Sequence, residues 1–158
     1  MSVDADLFRS VLGRFASGVT VVSARDHAGL DHGMTVSAFA SVSLDPPMVL
    51  ACVDHASSMF AVLMAVEHFG VSILSSSQEP LSRHFADTAS DRWAGVRAER
   101  GATGVPLVIG AVAHLECTVA ARHRAGDHTI FVGRVEHAAI GAGHPLIYYR
   151  SGYGEMRR

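Results

Sequence analysis

Small, uncharged hydroxyl side chains recur in residues 33–58, GMTVSAFASVSLDPPMVLACVDHASS, a segment with almost no charge. Thr35, Ser37, Ser41 and Ser43 alternate with apolar residues, a pattern typical of a strand with one polar face. Residues this small let the backbone approach a flat ligand, whose polar edge can bind amides and hydroxyls without the cost of burying charges. A flavin ring is such a ligand. An edge strand with neutral polar residues and no ligand would have the same pattern.

Serines cluster at the end of this segment, in DHASS (54–58), where the pattern changes from strand to helix. Free N–H groups and hydroxyls at a helix N-terminus stabilise a phosphate anion. A ring site followed along the chain by an anion site is what FMN or FAD requires. The same serines suit an ordinary helix N-cap, so the residues alone leave both interpretations open.

The residues that several other kinds of chemistry require are missing from this sequence. All thirteen Lys or Arg positions are arginine, which excludes a lysine Schiff base and a lysine on a nucleotide phosphate. The chain has no GxGxxG and no GxxxxGK[ST] motif, so a Rossmann or P-loop site is unsupported. No pair of carboxylates and no nucleophile–base pair stands out, and we therefore expect no acid or base catalyst. His123, Asp127 and His128 lack a fourth ligand, so no metal is expected.

Composition indicates one domain over residues 1–158, with 49% hydrophobic and 18% charged residues. The net charge of −2 gives no reason to expect nucleic acid or an anionic membrane as a partner. The apolar runs are far shorter than the ~20 residues of a membrane helix, and the acidic N-terminus is unlike a signal peptide, so we expect a cytoplasmic protein. Cys52 and Cys117 lie in apolar runs and are expected to be free thiols.

The periodicity of apolar residues predicts about seven strands and three helices, with the strands mostly consecutive. This order favours a mainly β fold, an antiparallel barrel with peripheral helices, over a doubly wound α/β fold. Residues 88–105 are expected to form a loop. The predicted helices cover 4–16, a segment that starts near Ser57 or Ser58, and 77–87; the predicted strands cover 18–25, 34–43, 48–53, 68–74, a long hairpin over 106–140, and 144–150.

Five segments in this order resemble the flavin reductase family, the short NAD(P)H:flavin oxidoreductases that supply reduced flavin to two-component monooxygenases. The resemblance implies an antiparallel flavin-binding split β-barrel that forms a homodimer. It also implies FMN or FAD, NADH or NADPH as co-substrate, and a separate monooxygenase as partner. The segments are RFASGVTVVSA (14–24), GMTVSAFASVSLDPPMVLACVDHASS (33–58), LSRHFA (81–86) followed by DRW (91–93), GDHTIFVGRVE (126–136) and PLIYYRSGY (145–153).

The resemblance also implies roles for individual residues. Those expected along the flavin ring are Thr35, Val36, Ser37 and Ala38, with Ser41 and Ser43 just beyond and Phe85 packed nearby. Those expected along the ribityl phosphate are Asp54 beside a ribityl hydroxyl, Ser57 and Ser58 facing the phosphate, and Arg92 as an anion partner. Those expected at the nicotinamide nucleotide are His128 and Tyr153. The sequence DRW replaces the family's commoner DRF.

Two other classes of function remain open from the sequence. The chain could be a split barrel that carries or senses flavin or haem without turnover. It could also be an oxidase of the pyridoxamine phosphate type, although that anionic substrate would call for several basic residues beside the flavin, and the GDH segment would then have no role.

Overall fold

The computed structural model describes residues 2–88 and 91–156, and its centre is a seven-stranded antiparallel sheet in the order β3-β2-β6-β9-β10-β5-β4. The described residues form three α-helices and one 3₁₀ turn, Ser76–Gln78. The helices are α1 (Ala5–Leu12), α2 (Ser58–Ala65) and α3 (Glu79–Ala86). The strands are β1 (Ser17–Gly18), β2 (Thr20–Arg25), β3 (Asp31–Val36), β4 (Phe39–Leu44), β5 (Pro47–Asp54), β6 (His68–Ile73), β7 (Ala98–Arg100), β8 (Pro106–Val108), β9 (Ala113–Ala125), β10 (His128–Ile140), β11 (Leu146–Tyr149) and β12 (Gly152–Glu155).

The sheet curls around one core, which makes it a split antiparallel barrel and confirms the predicted fold class. Side chains from β2, β3, β5, β6, β9 and β10 meet inside it, and Met59 and Leu63 of α2 cover one end. Phe69 and Phe131 are 1% exposed at its centre. Because alternate residues of a strand face opposite sides, the remaining positions of each strand lie outside this core.

The predicted strand over 34–43 is wrong, because it is two strands at opposite edges of the sheet. The chain leaves β3 at Ser37, and the carbonyl of Ala38 accepts a hydrogen bond from the Cys52 amide at 3.0 Å as β4 begins beside β5. Alternation of polar and apolar residues continues across this step, so the sequence pattern does not reveal it. The step opens the barrel between β3 and β4.

A second apolar cluster lies outside the barrel, between β2, α3 and β11. Phe85 of α3 is fully buried there, against Trp93. At Gly33 of β3 an added Cβ would lie 2.9 Å from the Phe85 ring and 3.1 Å from Trp93 Nε1. Glycine at this position therefore permits α3 to pack directly on β3.

Other predicted elements differ at their boundaries. The predicted loop 88–105 contains β7, and the first arm of the predicted hairpin breaks after β8, which pairs with β7 rather than with β10. The last strand is followed by β12, which the sequence did not indicate and which pairs with β11 through a two-residue turn. Positive φ angles at both turn residues, Arg150 and Ser151, are unusual outside glycine, so the sequence carries no common hairpin signal there.

Helix α1 is shorter than predicted and begins at its N-cap Asp4, whose side chain accepts a hydrogen bond from the Leu7 amide at 2.8 Å. None of its residues is buried. Cys52 and Cys117 are free, as predicted, and burial raises the pKa of the Cys117 thiol to about 12. Within the described residues, no helix has the length and apolar character needed to cross a bilayer.

Candidate active site

A cavity of about 200 Å³ opens on the outer face of β3, beside α3 and the β11–β12 hairpin. Thr35 of β3 and Ser37, the residue after this strand, line this cavity, whereas the side chain of Val36 between them lies in the barrel core. Among the described residues, no charged side chain lines this cavity. Its remaining lining residues are Val19, Ser82, Ala86, Tyr148 and Tyr153.

Short hydrogen bonds fix the walls of this cavity. The Thr35 hydroxyl donates to the carbonyl oxygen of Ser82 at 2.6 Å, which ties β3 to α3. The Ser82 hydroxyl lies 2.7 Å from the Tyr153 hydroxyl, which ties α3 to β12. The Arg83 guanidinium sits 4.9 Å from the centre of the Tyr153 ring, and Tyr148 packs on the same ring at 5.3 Å. The cleft is therefore pre-formed, with hydroxyls that are already oriented.

A second cavity, of about 230 Å³, lies at the other end of the same strand face. Ser58 at the start of α2 and Arg92 both line it, so the structure brings together two residues expected at a phosphate. Arg92 donates to the carbonyl oxygen of Gly33 at 2.8 Å, which holds its guanidinium at β3. From Gly33 to Ser37 the backbone spans about 13 Å, and α3 packs on β3 between the two cavities, at Gly33 and Thr35.

Local hydrogen bonds also fix the conformation of the segment that leads into α2. The Asp54 carboxylate accepts a hydrogen bond from the Ala56 amide at 2.8 Å, and the Ser57 hydroxyl donates to the Asp54 carbonyl at 2.8 Å. Ser57 is the N-cap residue of α2, which was the alternative to a phosphate role, and it does not line the second cavity. Of the two serines expected at a phosphate, Ser58 is therefore the one that the structure presents to Arg92.

The turn before β10 packs against this segment. His128 pairs with Asp54 across the β5–β10 ladder, and the Asp127 carbonyl accepts a hydrogen bond from the His55 amide at 2.9 Å. The Asp127 carboxylate lies 2.7 Å from His128 Nδ1, and this hydrogen bond and the imidazole charge lower the pKa of that carboxyl. The His128 side chain remains 42% exposed, at the rim of the barrel.

The comparisons with known proteins agree with this geometry. The family model "Flavin reductase like domain" matches residues 12–157. The chain is 48% identical to an NADH-dependent flavin reductase of Rhodococcus sp, over 94% of this chain and 84% of that protein. It is 40% identical to the reductase component of the 4-nitrophenol 4-monooxygenase/4-nitrocatechol 2-monooxygenase of Rhodococcus opacus, over 98% and 82%.

Among solved structures, the chain is similar to the NADH:FAD oxidoreductase SgcE6 of Streptomyces globisporus C-1027, solved with NAD and FAD fragments. The TM-score is 0.92 and the identity 39%, over 99% of this chain and 97% of that chain. The chain belongs to the flavin reductase-like family. The resemblance noted in its sequence motifs is thereby confirmed, and the split barrel is the fold that its structural neighbours share.

Some of the residues that were expected at the flavin line neither of these two cavities. Val36 is 3% exposed, its side chain lies in the barrel core, and it lines neither cavity. Phe85 is fully buried behind Gly33 and supports the cleft from beneath. Ser41 and Ser43 lie on the edge strand β4, beyond Ala38, and line neither cavity.

Other residues of the cleft were not expected from the sequence. Ser82 and Tyr148 line the first cavity, and Thr88 and His32 line the second. Ser82 and Tyr148 fall inside the motifs LSRHFA and PLIYYRSGY, so position within a motif was the available signal. Trp93 Nε1 is buried beside Gly33 without a hydrogen-bond partner in the described residues. Those residues also contain no group of three His, Cys, Asp or Glu side chains that could hold a metal ion.

The residues present fit a flavin. Hydroxyls beside β3 suit the polar edge of the ring. Ser58 and Arg92 supply donors for a phosphate in the second cavity, where the neighbouring Asp31 carboxylate is paired with Arg100.

Replacing Ser37 by Leu tests this fit. The larger side chain fills space beside β3, so we expect flavin binding to weaken by about tenfold or more, the effect of 1–3 kcal/mol of overpacking. Fluorescence titration with FMN measures the dissociation constant. The fold should survive, because Ser37 lies outside the core.

Ala120→Leu is the matched control, since Ala120 is an exposed residue of β9 that lines neither cavity. If Ser37→Leu binds FMN as tightly as the parent and this control do, the strand face is only structural.

Proposed function

We propose that this chain is an NAD(P)H-dependent flavin reductase that passes a hydride from the nicotinamide to FMN or FAD and releases reduced flavin to a separate monooxygenase. The observation that carries the proposal is the pre-formed, uncharged cleft beside Thr35 and Ser37, together with a separate cavity at the start of β3 that Ser58 and Arg92 line. The family relatives with this chemistry, including the reductase component of a monooxygenase, support it.

The flavin, when bound, supplies the electron-accepting ring; the chain's own residues supply position. Hydride transfer needs the two rings stacked at roughly 3–3.5 Å and needs no strong acid or base, which agrees with the neutral lining of the cleft. Thr35 and Ser37 orient one edge of the ring. Tyr153, held by Ser82 and Arg83, forms the opposite wall and limits access of water.

A steady-state assay of NADH oxidation tests the proposal. Oxidation should be slow with the purified chain alone and should rise at least tenfold when FMN or FAD is added, because the flavin is the electron acceptor. Absorbance at the nicotinamide band measures the rate. A flavin carrier or haem sensor would bind its ligand without turnover, and a pyridoxamine phosphate oxidase would not require NADH, so either pattern would rule out the reductase.

His128 is proposed to position the nicotinamide nucleotide from the barrel rim. Loss of one positioning hydrogen bond costs about 1–3 kcal/mol, so His128→Ala should lower kcat/KM for NADH roughly tenfold to a hundredfold. Flavin affinity should change little. Titrations of both ligands measure the two effects, with His123→Ala, an exposed histidine of the same hairpin, as the matched control. Collapse of flavin affinity with unchanged NADH kinetics would place His128 in the flavin site instead.

The chain is further proposed to work as a homodimer. Large apolar side chains are 50% or more exposed along one side of α1 and on the edge strand β4, more than a monomer of this size usually leaves in water. Those of α1 and the turn after it are Leu7, Phe8, Val11, Leu12 and Phe15, and those of β4 are Val42 and Leu44. A second copy of the chain is the occupant we propose for this surface.

Light scattering at micromolar concentration should give twice the mass of the chain. Replacing Phe8 and Val11 by Glu should shift the protein toward monomer, because charges cannot be buried in an apolar contact. A parent protein that is monomeric and active would contradict the dimer.

A cytoplasmic location stays a prediction from the sequence.

A further inference from the structure

A third cavity, of about 210 Å³, lies between the end of α1 and the turn that joins β11 to β12. Three arginines and two serines surround it, and it shares no lining residue with the two cavities along β3. Its lining residues are Arg9, Ser10, Gly13, Arg14, Arg150 and Ser151.

The cavity lies on the polar side of α1. Residues at i and i+4 of a helix share a face, so Arg9, Ser10, Gly13 and Arg14 form one side of α1 and of the turn that continues it. The exposed apolar side chains lie on the opposite side. The helix therefore faces the hairpin turn with its arginines, which is the reverse of an ordinary amphipathic helix on a protein surface.

Backbone contacts fix the two halves of this cavity together. The Arg150 amide donates to the Gly13 carbonyl at 2.9 Å. Arg150 and Ser151 have φ angles of 50° and 63°, a left-handed conformation that is costly for residues with a side chain. Asn-Gly is the usual choice in such a two-residue turn. The chain instead has an arginine and a serine here, and both line the cavity.

Of the three arginines of this cavity, only Arg9 is paired with a carboxylate in the described residues. Asp6 binds Arg9 at 3.2 Å, in an exposed pair, but it does not line the cavity. Within residues 2–88 and 91–156, the side chains of Arg14 and Arg150 form no ion pair. The side chains of Arg14 and Arg150 are exposed at this cavity, where a bound anion would reduce the repulsion between their charges, and guanidinium groups bind phosphate oxygens in a bidentate manner.

We propose that this cavity binds the phosphate groups of a dinucleotide whose ring end lies in the cleft of β3. The same hairpin supplies both sites, because Tyr148 and Tyr153 line the cleft while Arg150 and Ser151 at its tip line the cavity. From Tyr148 to Arg150 the strand advances about 7 Å, comparable to a ribose phosphate unit. The choice of a dinucleotide rests on the proposed function, whereas the anion site rests on the arginines alone.

Inorganic pyrophosphate tests the anion site without any reference to turnover. In amide NMR spectra of the full chain, the Gly13 and Ser151 resonances should shift saturably as pyrophosphate is added. Arg14→Gln and Arg150→Gln should each raise the dissociation constant about tenfold or more, since each removes a charge-assisted contact. Arg97→Gln, in an exposed loop outside all three cavities, should leave it unchanged.

The dispersion of the same spectra reports whether each variant is folded. Absence of a saturable shift in the parent, or equal affinities in folded Arg14→Gln and Arg97→Gln, would overturn the site. Ser151→Gly separates ligand binding from turn geometry. It should raise the unfolding temperature by relieving the positive φ angle, and it should also weaken pyrophosphate binding by removing a hydroxyl. Stabilisation with unchanged affinity would overturn the role of Ser151.

Kinetics then distinguish the two dinucleotides that could supply the phosphates. In Arg150→Gln, a raised KM for NADH with an unchanged KM for FMN would assign the site to the nicotinamide dinucleotide. A raised KM for FAD, with FMN and NADH unchanged, would assign it to the flavin dinucleotide. Unchanged KM values for all three in an active enzyme would overturn the dinucleotide. Absence of flavin-dependent NADH oxidation in the parent would instead contradict the proposed function and leave the pyrophosphate result standing.

Discussion

The close approach of α3 to β3 determines the shape of the site, and it depends on a missing side chain at Gly33. A Cβ there would lie 2.9 Å from the Phe85 ring, so any other residue would push the helix away. Because the helix is close, the Thr35 hydroxyl reaches the Ser82 carbonyl at 2.6 Å, and Ser82 in turn reaches Tyr153. The cleft thus takes its width from the packing of one glycine against one phenylalanine.

Neutral and charged residues are arranged around this cleft in a way that suits transfer of a hydride between two rings. The cleft beside Thr35, Ser37 and Tyr153 is lined by neutral groups, so it does not favour a charge on either ring in advance. Charged residues line the two other cavities, at Arg92 and at the arginines near the β11–β12 turn, and Arg83 lies behind the Tyr153 ring. Such separation lets phosphates contribute binding energy while the reacting rings are placed by shape and hydrogen bonds.

The sequence predicted the fold class, the helix that starts near Ser58 and the two free cysteines, since each depends on local pattern and composition. It did not predict the split of residues 34–43 between two sheet edges, because polar and apolar residues keep alternating across Ser37 and Ala38. It also did not separate side chains that face the cleft from those beneath it. Val36 and Phe85 belong to the right motifs, but their side chains are directed into cores by the pairing of β3 and the packing of α3.

The amphipathic pattern of α1 is compatible with two orientations of the helix on the protein surface. Its alternating faces predicted an amphipathic helix on the surface of a core, yet its apolar side is exposed and its arginines face the hairpin turn. A helix in this orientation gains stability if its apolar side is covered and the charges on its polar side are neutralised. A second copy of the chain would do the first and a bound phosphate the second. The two proposals are therefore linked, because dimerisation would hold the helix that carries Arg14 against the turn that carries Arg150.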